Sequence, residues 1–369
     1  MTTGQPGRDD YALVSAEAAE VPAPELDYRP PKPARVHPIA LVGAGGISFA
    51  HLDAYRAHGF EVAAILSRDA AKARARRDEF FPDAEVMTDY AALLARPDIE
   101  VVDLTPHPDA RVPLIEQALR AGRHVLSQKP FVSDLDTGER LCALAETNGV
   151  KLAVNQNGRW APHMAWMRAA VRGGLVGEVL GVHCALHWDH RWIRGTAFET
   201  MEDVVLFDFG VHWFDFVTSV AGRAGRVQAQ AVRAPATAIA PPMMASALLD
   251  FGTAQGTLVF DAATPFGPQD TTYIAGSAGS LVSTGPDLGT QSVALCTAAG
   301  VARPKLDGRW FNDGFAGAMG ALQVAIETGE EPENSARGNL VSLANAFAAL
   351  ASARTGGPVR PGEARGRRG

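Results

Sequence analysis

The rhythm of apolar positions changes twice along the chain and divides it into segments. Residues 1–37 show no periodicity and become rich in proline at Pro22, Pro24, Pro30, Pro31 and Pro33, which predicts an extended N-terminal arm. Leu26 and Tyr28 are its anchors, and a neighbouring subunit is one surface it could clasp. From Pro38 short continuous apolar runs predict strands at Ile39–Val42, Glu61–Leu66, Val101–Leu104, His124–Leu126 and Leu152–Val154. Between them, amphipathic stretches predict helices up to His58 and over Ala70–Glu79, Tyr90–Ala95, Pro113–Ala121 and Asp136–Asn148. Strands apolar on both faces and separated by helices imply a doubly wound parallel sheet of the Rossmann type over residues 38–158.

Beyond residue 158 the pattern loosens. Helices are expected at Pro162–Arg172, Asp208–Val220, Gly314–Glu327 and Leu340–Ser352. Longer strand-like runs fall at Val179–Trp188, Arg226–Val232, Ser246–Phe251, Gly256–Ala262, Thr272–Ala275 and Val293–Thr297. This implies an α+β domain over residues 159–355 with an open, mainly antiparallel sheet, whose late helices can pack back on the first domain. The Gly/Arg-rich residues 356–369 are expected to form a mobile tail.

Three motifs carry chemistry. Gly43-Ala44-Gly45-Gly46-Ile47-Ser48 follows an apolar strand and opens a helix, so Gly43, Gly45, Gly46 and Ile47 are expected to hold a dinucleotide pyrophosphate at a helix N-terminus. The next strand ends at Ser67 and Arg68, and a hydroxyl beside a guanidinium suits a 2′-phosphate, so NADP is favoured over NAD. Asp69 would reach a ribose if the strand ended one residue later. Other ligand positions at the carboxyl ends of strands are Thr105, His107, Gln128, Lys129 and Asn157. Lys129 precedes Pro130 in a bond expected to be cis, and its ammonium can stabilise an alkoxide. Asp208 and His212, four apart, share a helical face amid Phe207, Phe209, Trp213 and Phe214, and the imidazole is the natural acceptor of an alcohol proton.

With these motifs in this order, the chain resembles the Gfo/Idh/MocA family, named for glucose–fructose oxidoreductase and inositol dehydrogenase. The resemblance covers residues 38–355 and includes Gly122-Arg123-His124-Val125, Leu175-Val176-Gly177-Glu178-Val179 and Phe311-Asn312-Asp313-Gly314-Phe315. It implies a catalytic site of Lys129, Asp208 and His212, and a second domain that binds substrate and packs oligomers, here a homo-oligomer such as a dimer or tetramer. Gln128 stands where the family usually has Glu; it can bond a ribose hydroxyl but cannot act as a base. Arg111 stands about where a His is frequent.

Gln156, Arg159 and Trp160, with His187 and Asp189, offer amides, charges and flat rings to a polyhydroxylated substrate, a sugar, sugar acid, glycoside or cyclitol. The reaction expected is hydride transfer between a nicotinamide and a secondary alcohol or its ketone. A nicotinamide-using glycosidase or lyase without net redox change would need the same trio, and a dinucleotide-binding regulator would need only the scaffold. His183, His187 and Asp189 share a strand face, yet no converging ligand is apparent and no metal is expected. The formal charge of −7 and pI near 5.8 disfavour nucleic acid and anionic membranes as partners. Three scattered cysteines and the absence of an export pattern suit the cytoplasm.

Overall fold

The computed structural model describes residues 18–367; the part of the arm before residue 18, and residues 368–369, lie outside the described residues. The chain opens with a short strand, β1 (Glu20–Val21), and then builds a βα array. Its strands are β2 (Ile39–Val42), β3 (Val62–Leu66), β4 (Glu85–Met87), β5 (Val101–Leu104), β6 (His124–Ser127) and β7 (Leu152–Val154). The helices between them are α1 (Ser48–His58), α2 (Ala70–Phe80), α3 (Tyr90–Leu94), α4 (Pro108–Arg120) and α5 (Leu135–Thr147). All six strands after β1 pair in parallel in the order β4-β3-β2-β5-β6-β7. Every residue of β2, β5 and β7 is buried, which is why these strands read as unbroken apolar runs. Asp69, Asp89 and Asp134 cap α2, α3 and α5 by accepting backbone N–H groups, so local chemistry fixes where these helices begin.

Helix α4 starts five residues before its expected position, because Pro108 takes the first helical position and Pro113 is accommodated inside. Strand β4 was not expected from the pattern.

The second sheet follows α6 (Pro162–Arg172), with β8 (Val179–His187), α7 (Val211–Ala221), β9 (Arg226–Val232), β10 (Met244–Asp250), β11 (Gln255–Asp261), β12 (Gln269–Gly276), β13 (Gly279–Asp287), β14 (Thr290–Thr297) and β15 (Gly300–Ala302). Nine strands pair in the order β1-β15-β14-β13-β12-β8-β11-β10-β9; β1–β15 and β8–β11 are parallel and the rest antiparallel. The chain closes with α8 (Trp310–Thr328) and α9 (Ala336–Thr355). Strand β13 escaped the sequence pattern because Gly279-Ser280 and Ser283-Thr284-Gly285 dilute its apolar positions.

Three segments tie the halves together. The arm pairs at Glu20–Val21 with β15, its Tyr28 hydroxyl accepts the Asp307 N–H at 3.0 Å, and Glu327 accepts the N–H groups of Ala34 and Arg35. The described arm thus clasps its own chain. Helix α8 lies against α1, with Asn312 donating to Asp53 at 2.6 Å. The tail packs on the fold through residue 367. Val359 bridges Val227, Arg365 meets Asp136 and Glu139, and Arg367 donates to Asp203 while lying 4.5 Å from the Phe207 ring centroid. A composition rich in Gly and Arg suggested mobility, but these carboxylates hold the guanidinium groups in place. Among the described residues no helix is long and apolar enough to cross a membrane.

Candidate active site

Strand β2 ends at Gly43, whose φ of +104° and closeness to Thr105 exclude a side chain: a Cβ would fall 2.4 Å from the Thr105 hydroxyl oxygen. That hydroxyl donates to the carbonyls of Val42 and Gly43, so Thr105 shapes the turn. A Cβ at Gly45 or Gly46 would meet nothing within 4 Å, and α1 begins without a side-chain cap. Open space beside uncapped N–H groups at a helix N-terminus fits a pyrophosphate. Next to it, Ser67 follows the end of β3, and Arg68 is exposed. The Asp69 carboxylate accepts from Ala71 and Lys72 at the start of α2, a role that competes with holding a ribose. His107 caps α4 by position only and is exposed.

Strand β6 delivers Gln128 and Lys129, and the Lys129–Pro130 bond is cis. The Lys129 ammonium donates to the Asp208 carbonyl at 2.9 Å and to its carboxylate at 3.2 Å. Asp208 does not lie on a continuous α-helix as expected. Residues Val204–Phe209 form a π-helical turn, and α7 starts only after Gly210. The carboxylate therefore pairs with the lysine, and no bond joins it to His212. The His212 ring presents Nδ1 without a partner among the described residues. Burial, reinforced by the Lys129 charge, holds its pKa well below the ordinary histidine value, so the ring is neutral at physiological pH. Arg111 braces this region by donating to the carbonyls of Pro106, Pro130 and Phe131.

The expected substrate residues separate into two groups. Arg159 is buried against Asp215, with contacts of 2.6 and 2.8 Å, and Trp160 packs on Gly317, where a Cβ would fall 2.1 Å from the indole. Both are core and neither faces a pocket, which corrects the expectation drawn from their neighbourhood. His187 pairs with Asp261 and Asp189 with Arg191. His183 bonds Thr257, and no group of three potential metal ligands occurs among the described residues. Gln156 and Asn157 are buried with unpartnered amide atoms.

Sequence reasoning missed an aromatic ladder. His163 stacks on Trp310, Trp310 on Trp213, Trp213 meets Trp188 edge-on, and Trp188 stacks on His190, with successive centroids 5.4–6.3 Å apart. The buried ring nitrogens His163 Nε2, Trp213 Nε1, Trp188 Nε1 and His190 Nδ1 all lack partners among the described residues. Trp310 also lies 6.1 Å from the His212 ring. A cleft of about 1000 Å³ runs from Gly46 and Ile47 to Trp188, His190 and Trp310. The scattered positions of these rings in the sequence gave no periodic signal.

Asp270 was missed as well. On β12 it stands opposite Leu186 and Gly285, two residues in from Trp188 and Asp287 at the cleft, and both of its oxygens lack partners among the described residues. Burial, with the nearby Asp287 charge, raises its pKa to about 7. The neutral form is therefore favoured in the fold, and its stabilising contribution fades as pH rises through about 7. Asp270→Asn is expected to raise the denaturation midpoint relative to wild type as pH increases, by roughly 2–3 kcal/mol between about pH 5 and about pH 8. Parallel pH profiles for the two proteins would remove this assignment.

A family model for an oxidoreductase family with an NAD-binding Rossmann fold matches residues 38–156, and one for the Gfo/Idh/MocA C-terminal domain matches residues 164–282. The chain is 28% identical over 335 residues to a D-apiose dehydrogenase of Paraburkholderia graminis, covering 87% of this chain and 88% of that protein. An oxidoreductase of Agrobacterium radiobacter in complex with NAD+, L-tartaric acid and magnesium has a similar fold, with a TM-score of 0.80 and 23% identity over 89% of this chain and 99% of that one. So does a levoglucosan dehydrogenase in complex with NADH and levoglucosan, with a TM-score of 0.77 and 18% identity over 89% of this chain and all of that one. The glycine turn and both family matches place this chain in the Gfo/Idh/MocA family of oxidoreductases.

Proposed function

We propose that this chain oxidises a secondary alcohol of a neutral polyhydroxylated ring (a sugar, glycoside or cyclitol), or reduces the matching ketone, with NADP favoured over NAD. The observation that carries the reading is the meeting of Lys129 with Asp208 beside a neutral His212, at the carboxyl end of the sheet that opens the glycine turn. A nicotinamide dinucleotide, when bound, supplies the hydride acceptor or donor. Gly45, Gly46 and the N-terminus of α1 would hold its pyrophosphate, and Ser67 with Arg68 its 2′-phosphate.

His212, held neutral beside Lys129, accepts the hydroxyl proton during oxidation. Lys129, held by Asp208, offers positive charge to the oxygen as it becomes an alkoxide. Trp188 and Trp310 on the cleft wall supply flat apolar surfaces, which suit the apolar faces of a sugar ring. Among the described residues the cleft wall carries Asp53, Asp189 (already paired with Arg191), Asp287 and Arg309, a surface without excess positive charge, so neutral substrates are favoured over sugar acids. The D-apiose dehydrogenase relative is consistent with a carbohydrate substrate.

A panel of neutral sugars, methyl glycosides, cyclitols and sugar acids, assayed with NAD+ and NADP+ through the absorbance of the reduced nicotinamide, tests both parts. Oxidation of neutral members is expected, with kcat/KM roughly tenfold higher for NADP+, an advantage that Arg68→Ala abolishes. Turnover confined to sugar acids would overturn the substrate class, and an equal or greater efficiency with NAD+ would overturn the cofactor choice. Product cleavage without net absorbance change would select the redox-neutral alternative.

A further inference from the structure

A chain of buried polar side chains runs behind Lys129. Gln128 Oε1 accepts the backbone N–H of Lys129 at 2.5 Å, and Gln128 Nε2 lies 3.0 Å from His51 Nε2. On the other side of the imidazole, His51 Nδ1 lies 2.7 Å from Asp103 Oδ2, which also accepts from the Tyr55 hydroxyl at 2.7 Å. His51, Tyr55 and Asp103 are completely buried and Gln128 is 5% exposed. Asn155 adds a second amide nitrogen 3.3 Å from His51 Nε2, and the Phe315 ring covers the imidazole at 4.4 Å.

The direction of every proton in this chain follows from one group that cannot be reversed. A backbone N–H only donates, so the Gln128 atom facing Lys129 N is the oxygen, and the atom facing His51 is the NH₂ group. His51 Nε2 must then accept, which leaves its single proton on Nδ1, directed at Asp103. Asp103 Oδ2 accepts from both of its neighbours, the His51 Nδ1–H and the Tyr55 hydroxyl. The charged and titratable groups around the imidazole are Asp103 on β5, Tyr55 on its own helix and, beyond Asp103, Arg111 on α4, whose pKa burial lowers to about 9 against the opposing pull of that carboxylate. Burial and Asp103 hold the Tyr55 hydroxyl protonated.

We propose that Asp103, His51 and Gln128 form a positioning relay: Asp103 fixes the His51 tautomer, His51 orients the Gln128 amide, and Gln128 sets the backbone from which Lys129 reaches Asp208. The amide at position 128 keeps His51 neutral, where a carboxylate would demand a second proton from the ring. The positioning role rests on the function proposed for Lys129; the tautomer does not.

Histidine-labelled NMR on the full-length protein reads the relay without substrate, with His51→Gln identifying the resonance. Wild type is expected to show a single His51 ring proton, on Nδ1. In Gln128→Glu, of nearly the same shape, the His51 signal is expected to become that of an imidazolium, and the Lys129 Cε resonance to shift. With a polyol substrate, Gln128→Glu is expected to lower kcat roughly 10–100-fold. A His51 proton on Nε2, a charged His51 in wild type, or a Gln128→Glu protein with unchanged His51 and Lys129 signals would overturn the relay. Failure of every polyol to react, with the NMR outcome as expected, would refute the proposed reaction and leave the relay standing.

Discussion

Replacing Lys129 with alanine is expected to reduce turnover by roughly 10³-fold while dinucleotide affinity stays within about twofold. The ammonium is the cation held against Asp208 at the mouth of β6, and no other side chain of the trio offers positive charge to a developing alkoxide, because His212 is kept neutral by burial and by Lys129 itself. Loss of the amine also leaves the Asp208 carboxylate without its partner and relieves the pressure on His212. The acid limb of the pH profile is therefore expected to move upward in any residual activity, since the charge that depressed the imidazole is gone. Steady-state kinetics and fluorescence titration with the reduced dinucleotide check the two halves of this result. Turnover near that of wild type would exclude Lys129 from the chemistry.

The second large effect concerns stability. Arg159 and Asp215 form a buried two-pronged ion pair, and Arg159 also donates to the Glu333 carbonyl. Truncating either partner leaves a buried charge without compensation, so Arg159→Ala and Asp215→Ala are each expected to cost about 3–5 kcal/mol in denaturant unfolding. Arg159→Met combined with Asp215→Leu is expected to recover much of that loss, because the apolar pair removes both charges together. Single variants within about 0.5 kcal/mol of wild type would mean that water reaches this pair. Lys129 is likewise a cation held by an aspartate, but its side chain is 19% exposed and its charge acts on His212, whereas the Arg159 pair is sealed in the core.

The Rossmann half was largely legible because buried parallel strands write themselves as apolar runs with amphipathic stretches between them. The glycine turn, Lys129 and the cis bond at Pro130 were found where local geometry demands particular residues. What eluded the pattern were relations between distant groups. Asp103 interrupts Val101-Val102-Asp103-Leu104, and a carboxylate in such a run signals a buried partner, but nothing local names His51. Arg159 sits in a stretch of amides that suggested a pocket, whereas its true partner is on α7. Asp208 and His212 have the spacing of one helical face, and the π turn before Gly210 gives the carboxylate to the lysine instead. The pairing of Arg365 and Arg367 with Asp136 and Asp203 could not be read from a tail whose composition resembles a linker.

The crossing of the arm, α8 and the tail between the two sheets has a bearing on how a substrate enters. A hinged enzyme opens by rotating one half about a few slack connections. Here such a rotation would have to unzip the Glu20–Val21 pairing, part α8 from α1 and pull Arg365 off α5, all at once. Entry thus falls to the rim of the cleft at Pro268, Pro286–Gly289 and the short turns after Trp188, outside the tied frame.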